Sequence, residues 1–408
     1  MARRVVVTGW GCVSGLGQGA EPAFRALMAG EGAIRPMARR ALDDEAFAYA
    51  GPAALAPPLD PAPLAGRLGP KPFAGLDPHA AFALAATHEA LAQAGLLDHP
   101  SLEERTAIVY GGGSGGNATM EEGYGRLFVK RATSVHPQTV PRQMVSAPSS
   151  VISMSYGVRG TAFSLASACA SSAHAVMEAM HMIRAGRCDV AITGGTEAPI
   201  TYGSWTAWRG LQAMAPDACR PFSIDRKGMA LGEGAATLVL EAEDHARARG
   251  AEVLAEVAGA GATSDAHHIT APDGRGAERA IRLAHEDAGA PLDAPLLVSA
   301  HGTGTPLNDR TEAQALRAVY GEALDKGVVI ATKSAHGHVM GAGGALEFLF
   351  GLMALRGGLA PPTLGWLGPD PDCDVPLALE PREHRAAALV SNAFAFGGLN
   401  CVLIGRKA

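Results

Sequence analysis

The chain has 408 residues, 48% hydrophobic and 18% charged, with 51 glycines and a formal net charge of −6. That length supplies core for two or three domains or for one large fold built from two halves, and the composition excludes extensive disorder. The missing basic excess excludes a general nucleic-acid binder, and no uncharged apolar run reaches the roughly 18 residues of a membrane span.

In chain order, Arg4 to Thr8 reads as a buried strand running into Gly9-Trp-Gly11. This is not a dinucleotide fingerprint, because Ser14 stands where the last glycine belongs and no acidic partner stands out. Residues 38 to 70, rich in alanine and proline, are predicted to form a surface excursion. Ala80 to Leu96 predicts an amphipathic helix, and Ala107 to Tyr110 a strand entering Gly111-Gly-Gly-Ser114-Gly-Gly. That glycine run permits a close turn, or is simply a flexible loop. Thr161 to Ser167 reads as a short buried strand. Ala173, Val176, Met177, Met180 and Ile183 then recur at helical spacing up to a stop at Arg184-Ala-Gly186. Asp189 to Thr193 is a strand ending in Gly194-Gly195. The order recurs later: a strand at Val328 to Thr332, an apolar helix from about Gly343 to Gly357, and a strand at Ala388 to Ser391 leading to Gly397-Gly398. Two related α/β halves follow, residues 1–250 and 251–408.

Cys169 carries the chemistry of the first half. It lies where an apolar segment ends and a helix begins, and the free N–H groups and positive dipole of a helix start favour a thiolate. Its small neighbours Ala168, Ala170, Ser171 and Ser172 leave room for a bulky substrate. Taken alone, an inert buried thiol is the simpler reading, and it stands for Cys12, Cys188, Cys219, Cys373 and Cys401. None of the six shows CxxC spacing, so reduced thiols are expected. The opening Met-Ala-Arg-Arg also lacks a secretory core, and the expected location is cytoplasmic. In the second half, His301 ends a strand with Thr303, Thr305 and Pro306 beside it, suited to a polar chain at a site opening or to a loop histidine satisfied by backbone. Glu347 lies among Leu346, Phe348, Leu349 and Phe350. An unpaired carboxylate there would cost several kcal/mol, so it either pairs with Lys333 or faces solvent. His336 reads as a spacer before His338.

Together these segments resemble the β-ketoacyl-acyl carrier protein synthases, condensing enzymes of the thiolase superfamily. The resemblance runs from Val5-Val-Val-Thr-Gly through the Cys169 segment, Arg220-Pro-Phe and Gly232-Glu-Gly. It continues through His301-Gly-Thr-Gly-Thr-Pro, Thr332-Lys-Ser, Gly337-His338 and Asn392-Ala-Phe-Ala-Phe396-Gly-Gly. It implies a thiolase-like fold of five αβαβα layers and the Cys-His-His site of elongating synthases: Cys169, His301 and His338, supported by Lys333 and Glu347. It implies an oxyanion hole from the N–H groups of Cys169 and Phe396, and substrate contacts from Thr270, Thr303, Thr305, Ser114, Phe394 and Phe396. Asp309 and Glu312 match loop-ordering positions.

Substrates would arrive on the phosphopantetheine of an acyl carrier protein, with no cofactor or metal bound by the enzyme and no nucleic acid or membrane as partner. Basic residues near 126 to 131 are candidates to meet the carrier. A homodimer is the default, a heterodimer with a chain-length-factor-like subunit the alternative. The competing reading, that this chain is itself the silent subunit, is disfavoured by its intact Cys169, His301 and His338. Departures from the family pattern are Ala395 for a glycine, Leu399 for a threonine, Ser114 for a bulky residue in the acyl tunnel, and Lys227 and Met229 for aspartate and phenylalanine. The Phe394-Ala-Phe396-Gly-Gly-Leu399-Asn ending is reminiscent of specialised synthases, nodulation-type or polyene-forming, acting in fatty acid or polyketide elongation.

Overall fold

The computed structural model describes residues 3–408. Among the described residues, ten strands form the path of one mixed sheet: β1 (Val5–Ser14), β2 (Thr106–Gly111), β3 (Ala162–Leu165), β4 (Val190–Glu197), β5 (Gly234–Ala242), β6 (Ala255–Ser264), β7 (Leu296–Ser299), β8 (Val328–Ile330), β9 (Ala388–Ala395) and β10 (Leu399–Lys407). Their order is β8-β7-β9-β10-β6-β1-β5-β4-β2-β3. Read from either edge inward, the halves repeat one topology. The second strand runs parallel to both neighbours, β2 to β3 and β4, and β7 to β8 and β9. The remaining ladders, β4–β5, β5–β1, β9–β10 and β10–β6, are antiparallel. The halves join where β1 pairs antiparallel with β6, at Val6–Glu256 and Val7–Ala255.

Six helices pack on this frame: α1 (Pro78–Gln93), α2 (Ala147–Tyr156), α3 (Ser171–Arg184), α4 (Gly274–Ala288), α5 (Pro306–Tyr320) and α6 (Gly343–Gly357). The alternation of side chains along each strand sorts the layers. Ile108, Tyr110, Val190 and Ile192 face an outer cluster with α1 and α2, while Ala107, Val109 and Ala191 face the centre. In the second half Val298, Ala388 and Val390 face α4 and α5, while Leu297 and Leu389 face the centre. The central cluster is shared by α3 and α6. Every residue of α6 from Gly343 to Leu355 is buried, as an all-round apolar helix requires. The expected αβαβα layering is therefore present.

Several elements differ from the sequence reading. The Gly9-Trp-Gly11 glycines serve helix packing, since a Cβ at Gly9 would lie 2.1 Å from Ala90 O and one at Gly11 2.2 Å from Ala86 O. α1 is not amphipathic: it is buried from His79 to His88 without a break, because it lies under β1 and β5 and against α2. β3 is not a buried strand but a partly exposed edge of the sheet. β4 runs through Gly194-Gly195 to Glu197, held by its ladder to β5. The 38–70 segment is only partly an excursion. Arg35–Arg40, Ala48–Ala54 and Leu231–Gly232 form a small sheet, which brings Tyr49 and Ala53 into the apolar cluster around Cys169.

The two central helices touch where a Cβ on Gly344 would sit 2.8 Å from Ala173 Cβ and 3.0 Å from Ala173 N. Gly344→Val should therefore lower unfolding free energy in urea titrations by about 3 kcal/mol through overpacking. Gly66→Ala, placed on a helix with no atom within 4 Å of the new methyl, should raise it by about 0.5–1 kcal/mol.

Candidate active site

The strand ends of both halves converge on one cavity. β3 leads into a single tight turn, Ala168–Ala170, that places Cys169 immediately before α3. Ala168 holds φ at 50°, a strained value for a residue with a Cβ. Ser171 staples the turn: its hydroxyl accepts the Ser167 N–H at 2.9 Å and donates to Ala168 O at 2.7 Å. From the second half, His301 follows β7, Lys333 opens a one-turn helix after β8 (Lys333–His336), His338 follows that turn, and Phe394 lies near the end of β9, before Phe396.

His338 Nε2 lies 3.2 Å from Cys169 Sγ. The His301 ring stands nearly perpendicular to it, with centroids 5.6 Å apart at 83°. The hydrogen bonds behind the rings set their tautomers. The Met340 N–H donates to His338 Nδ1 at 3.2 Å, and the Lys333 ammonium lies 3.2 Å from His301 Nδ1. Each Nδ1 thus accepts, which leaves the proton on each Nε2. Lys333 also donates to His301 O at 2.5 Å and lies 2.6 Å from Glu347 Oε1. The pair expected from the apolar surroundings of Glu347 is therefore formed and fully buried. Glu312 accepts from the N–H groups of His301 and Gly302 at 2.7 and 2.8 Å and from Asn392 at 2.9 Å. Asp309 accepts from Phe222 N at 2.8 Å and Gly304 N at 3.2 Å. Both carboxylates hold the His301–Thr305 loop, as expected of them. His336 is a core residue whose Nε2 lies 2.9 Å from Thr332 Oγ1.

Burial, reinforced by the Lys333 charge, holds both imidazoles well below the ordinary histidine range, so they are neutral. The expectation of a thiolate-favouring position at Cys169 is corrected by depth. Burial pushes the thiol up to about 11, opposed by the Lys333 charge and the Phe396 N–H. Burial likewise moves Glu347 up to about 7 against the pull of Lys333.

A cavity of about 340 Å³ opens onto Cys169, His301 and His338 and is walled by Thr270, Thr303, Thr305, Phe394 and Phe396. Lys227 and Met229, two of the departing positions, also line it. Ser114 does not. It is exposed, and its hydroxyl donates to Glu197 Oε1 at 2.7 Å. The glycine run exists for that carboxylate: Glu197 also takes the N–H groups of Gly113 at 2.6 Å and of Gly341 at 3.1 Å, tying the run to the His338 loop. Arg126, Lys130 and Arg131 are exposed and lie outside the cavity wall. Sequence reasoning missed two functional neighbours. Glu197 was signalled only by an acidic residue following a buried strand, and Trp208, which lines the cavity, by its spacing of three from the buried Trp205 on one helix.

Comparison with known proteins agrees with this geometry. Residues 2–246 match the N-terminal domain of beta-ketoacyl synthase and residues 254–366 its C-terminal domain. The chain is 41% identical over 408 residues to nodulation protein E of Rhizobium meliloti (strain 1021), covering all of both chains. It is 34% identical to 3-oxoacyl-[acyl-carrier-protein] synthase 2 of Staphylococcus aureus (strain COL), covering 99% of this chain and 98% of that one. Among solved structures, the ishigamide ketosynthase/chain length factor superposes with a TM-score of 0.90 at 34% identity, and a beta-ketoacyl synthase from Burkholderia phymatum STM815 with 0.89 at 32%, each covering both chains completely.

A thiol pushed up to about 11 predicts that alkylation of Cys169 by iodoacetamide, followed by mass spectrometry, climbs about tenfold per pH unit from 7 to 9 without levelling. A plateau near neutrality would show that the site already holds a thiolate.

Proposed function

This chain belongs to the β-ketoacyl synthase family of C–C bond-forming acyltransferases, and we propose that it condenses an acyl group held on Cys169 with a malonyl thioester carried by an acyl carrier protein. The observation that carries this reading is the placement of two neutral Nε2–H donors around one buried thiol.

In the first half-reaction the Cys169 sulfur attacks the acyl thioester of the carrier. A C–S bond forms to Cys169, the carrier's C–S bond breaks, and the proton leaves with the carrier thiol. The N–H groups of Cys169 and Phe396 face the oxyanion. In the second, the malonyl thioester carbonyl receives the Nε2–H bonds of His301 and His338. They stabilise the enolate as carbon dioxide departs. The enolate carbon attacks the acyl-Cys169 carbonyl, and the released thiolate recovers a proton. The product is a β-ketoacyl thioester two carbons longer. Lys333 keeps the His301 tautomer, and Glu347 neutralises Lys333. The phosphopantetheine arm runs past Thr270, Thr303 and Thr305, and Phe394 packs edge-on against His301 at 6.2 Å. No further cofactor enters this scheme.

The first half, residues 1–250, supplies the nucleophile and the second, 251–408, the two histidines. Likeness to nodulation protein E and to the ishigamide ketosynthase supports a specialised elongation pathway. Related solved complexes pair a ketosynthase with its acyl carrier protein or its chain length factor. The free edge of β3 supports pairing with a second copy, so we assign a homodimer, with a chain-length-factor heterodimer as the alternative. Among the described residues no helix is long and apolar enough to cross a membrane, and a cytoplasmic enzyme fits this reading.

Incubation with acyl-carrier protein should leave an acyl adduct on Cys169 by mass spectrometry; an unmodified Cys169 under turnover would refute the assignment. His338→Ala should slow malonyl decarboxylation by about a hundredfold or more, the scale of losing a preorganised donor, while Cys169 still accepts acyl groups. Copurification with a second, similar chain would replace the homodimer by the heterodimer.

A further inference from the structure

Phe396, Gly397 and Gly398 form a three-residue loop closing the β9–β10 hairpin at the Ala395–Leu399 pair. The two glycines take φ of 83° and 69°, and the Gly397 N–H donates to Ile269 O at 2.7 Å. Ala395 stands where the family carries a glycine and is held with Leu399 in the last ladder pair, so the adjustable part of the loop is confined to Gly397 and Gly398. The Phe396 ring lies at the cavity mouth, partly exposed, and stacks on Trp208 with centroids 5.9 Å apart at 27°. Trp208 rides on the helix Tyr202–Gly210, which is fixed from below. Trp205, three residues earlier, is buried against Tyr49 at 5.8 Å, and the Thr201 side chain caps the first turn. A rigid indole thus meets a hinged phenylalanine.

We propose that Trp208 is a positioning residue whose stack on Phe396 latches the β9–β10 loop with the Phe396 N–H facing Cys169. This rests on the ketosynthase reading. Acyl transfer to Cys169 needs that N–H at the oxyanion, whereas loss of carbon dioxide from the malonyl group depends on His301 and His338. Removing the stack frees the loop, so acylation of Cys169 slows while malonyl decarboxylation does not.

The test measures both half-reactions on the full enzyme: acyl adduct on Cys169 from acyl-carrier protein, and carbon dioxide from malonyl-carrier protein. Trp208→Ala should slow acylation about five- to tenfold, the scale of one aromatic pair, mainly in kcat rather than KM, with decarboxylation and Tm unchanged. Trp208→Phe, which keeps a ring at the position, should restore most of the rate. Unchanged acylation in Trp208→Ala would overturn the latch. So would a parallel fall of both half-reactions, or a Trp208→Phe enzyme no better than Trp208→Ala. An acyl group that never reaches Cys169 in the unaltered enzyme would instead refute the ketosynthase reading beneath it.

Discussion

The candidate site is organised by one buried cation. Lys333 is 1% exposed, and an ammonium so deep costs several kcal/mol unless it is fully compensated. Glu347 and the His301 carbonyl supply that compensation. Its field then does chemical work. It helps keep both imidazoles neutral, and it opposes the burial that would otherwise hold the thiol still more firmly protonated. Because its contact with His301 is at Nδ1, it also selects the tautomer that points a proton at the cavity. Charge, tautomer and thiol reactivity are thus one problem with one residue at its centre.

The rest of the fold keeps that residue dry and its neighbours aligned. α6, which carries Glu347, is apolar on every side and sits between the two sheet halves, packed on α3, which begins immediately after Cys169. Ser172 donates a further fixed point, accepting the Ala345 N–H at 2.9 Å across the two helices. Cys169, just before one helix, and Glu347, on the other, are therefore tied to touching helices. Glu197 and Glu312 play matching parts, each a buried carboxylate that gathers backbone N–H groups of a loop bearing one of the two histidines.

Much of this was legible before any coordinates. The repeated strand-helix-strand order exposed the two halves, and the crowd of apolar residues around Glu347 predicted its partner in Lys333. The order of Cys169, His301 and His338 pointed to three residues that the fold brings to one cavity. What escaped was everything set by distance in space rather than in sequence. Ser114 reads as a tunnel residue, and no pattern links its hydroxyl to Glu197, 83 positions away. The motif around Cys169 reveals a helix start but not the depth at which that start lies, so the sign of the thiol's shift was read wrongly. α1, rich in alanine, offers too little contrast between its faces to show that nearly all of them are covered. The Trp208–Phe396 contact joins two segments that no pattern links.

The seam between the halves has a consequence for how the molecule comes into being. β1 lies in the middle of the sheet, buried along its whole length, yet its main partner is β5, Gly234–Ala242, and its other partner begins at Ala255. On a ribosome adding about 5–20 residues per second, the first strand emerges roughly 10–50 s before the strand it must pair with. During that interval only its end can pair, Val13 with Gln18 and Ser14 with Gly17, while Val5 to Cys12 await their ladders. An apolar strand made early thus waits for partners more than 220 residues on, and needs shelter until they appear.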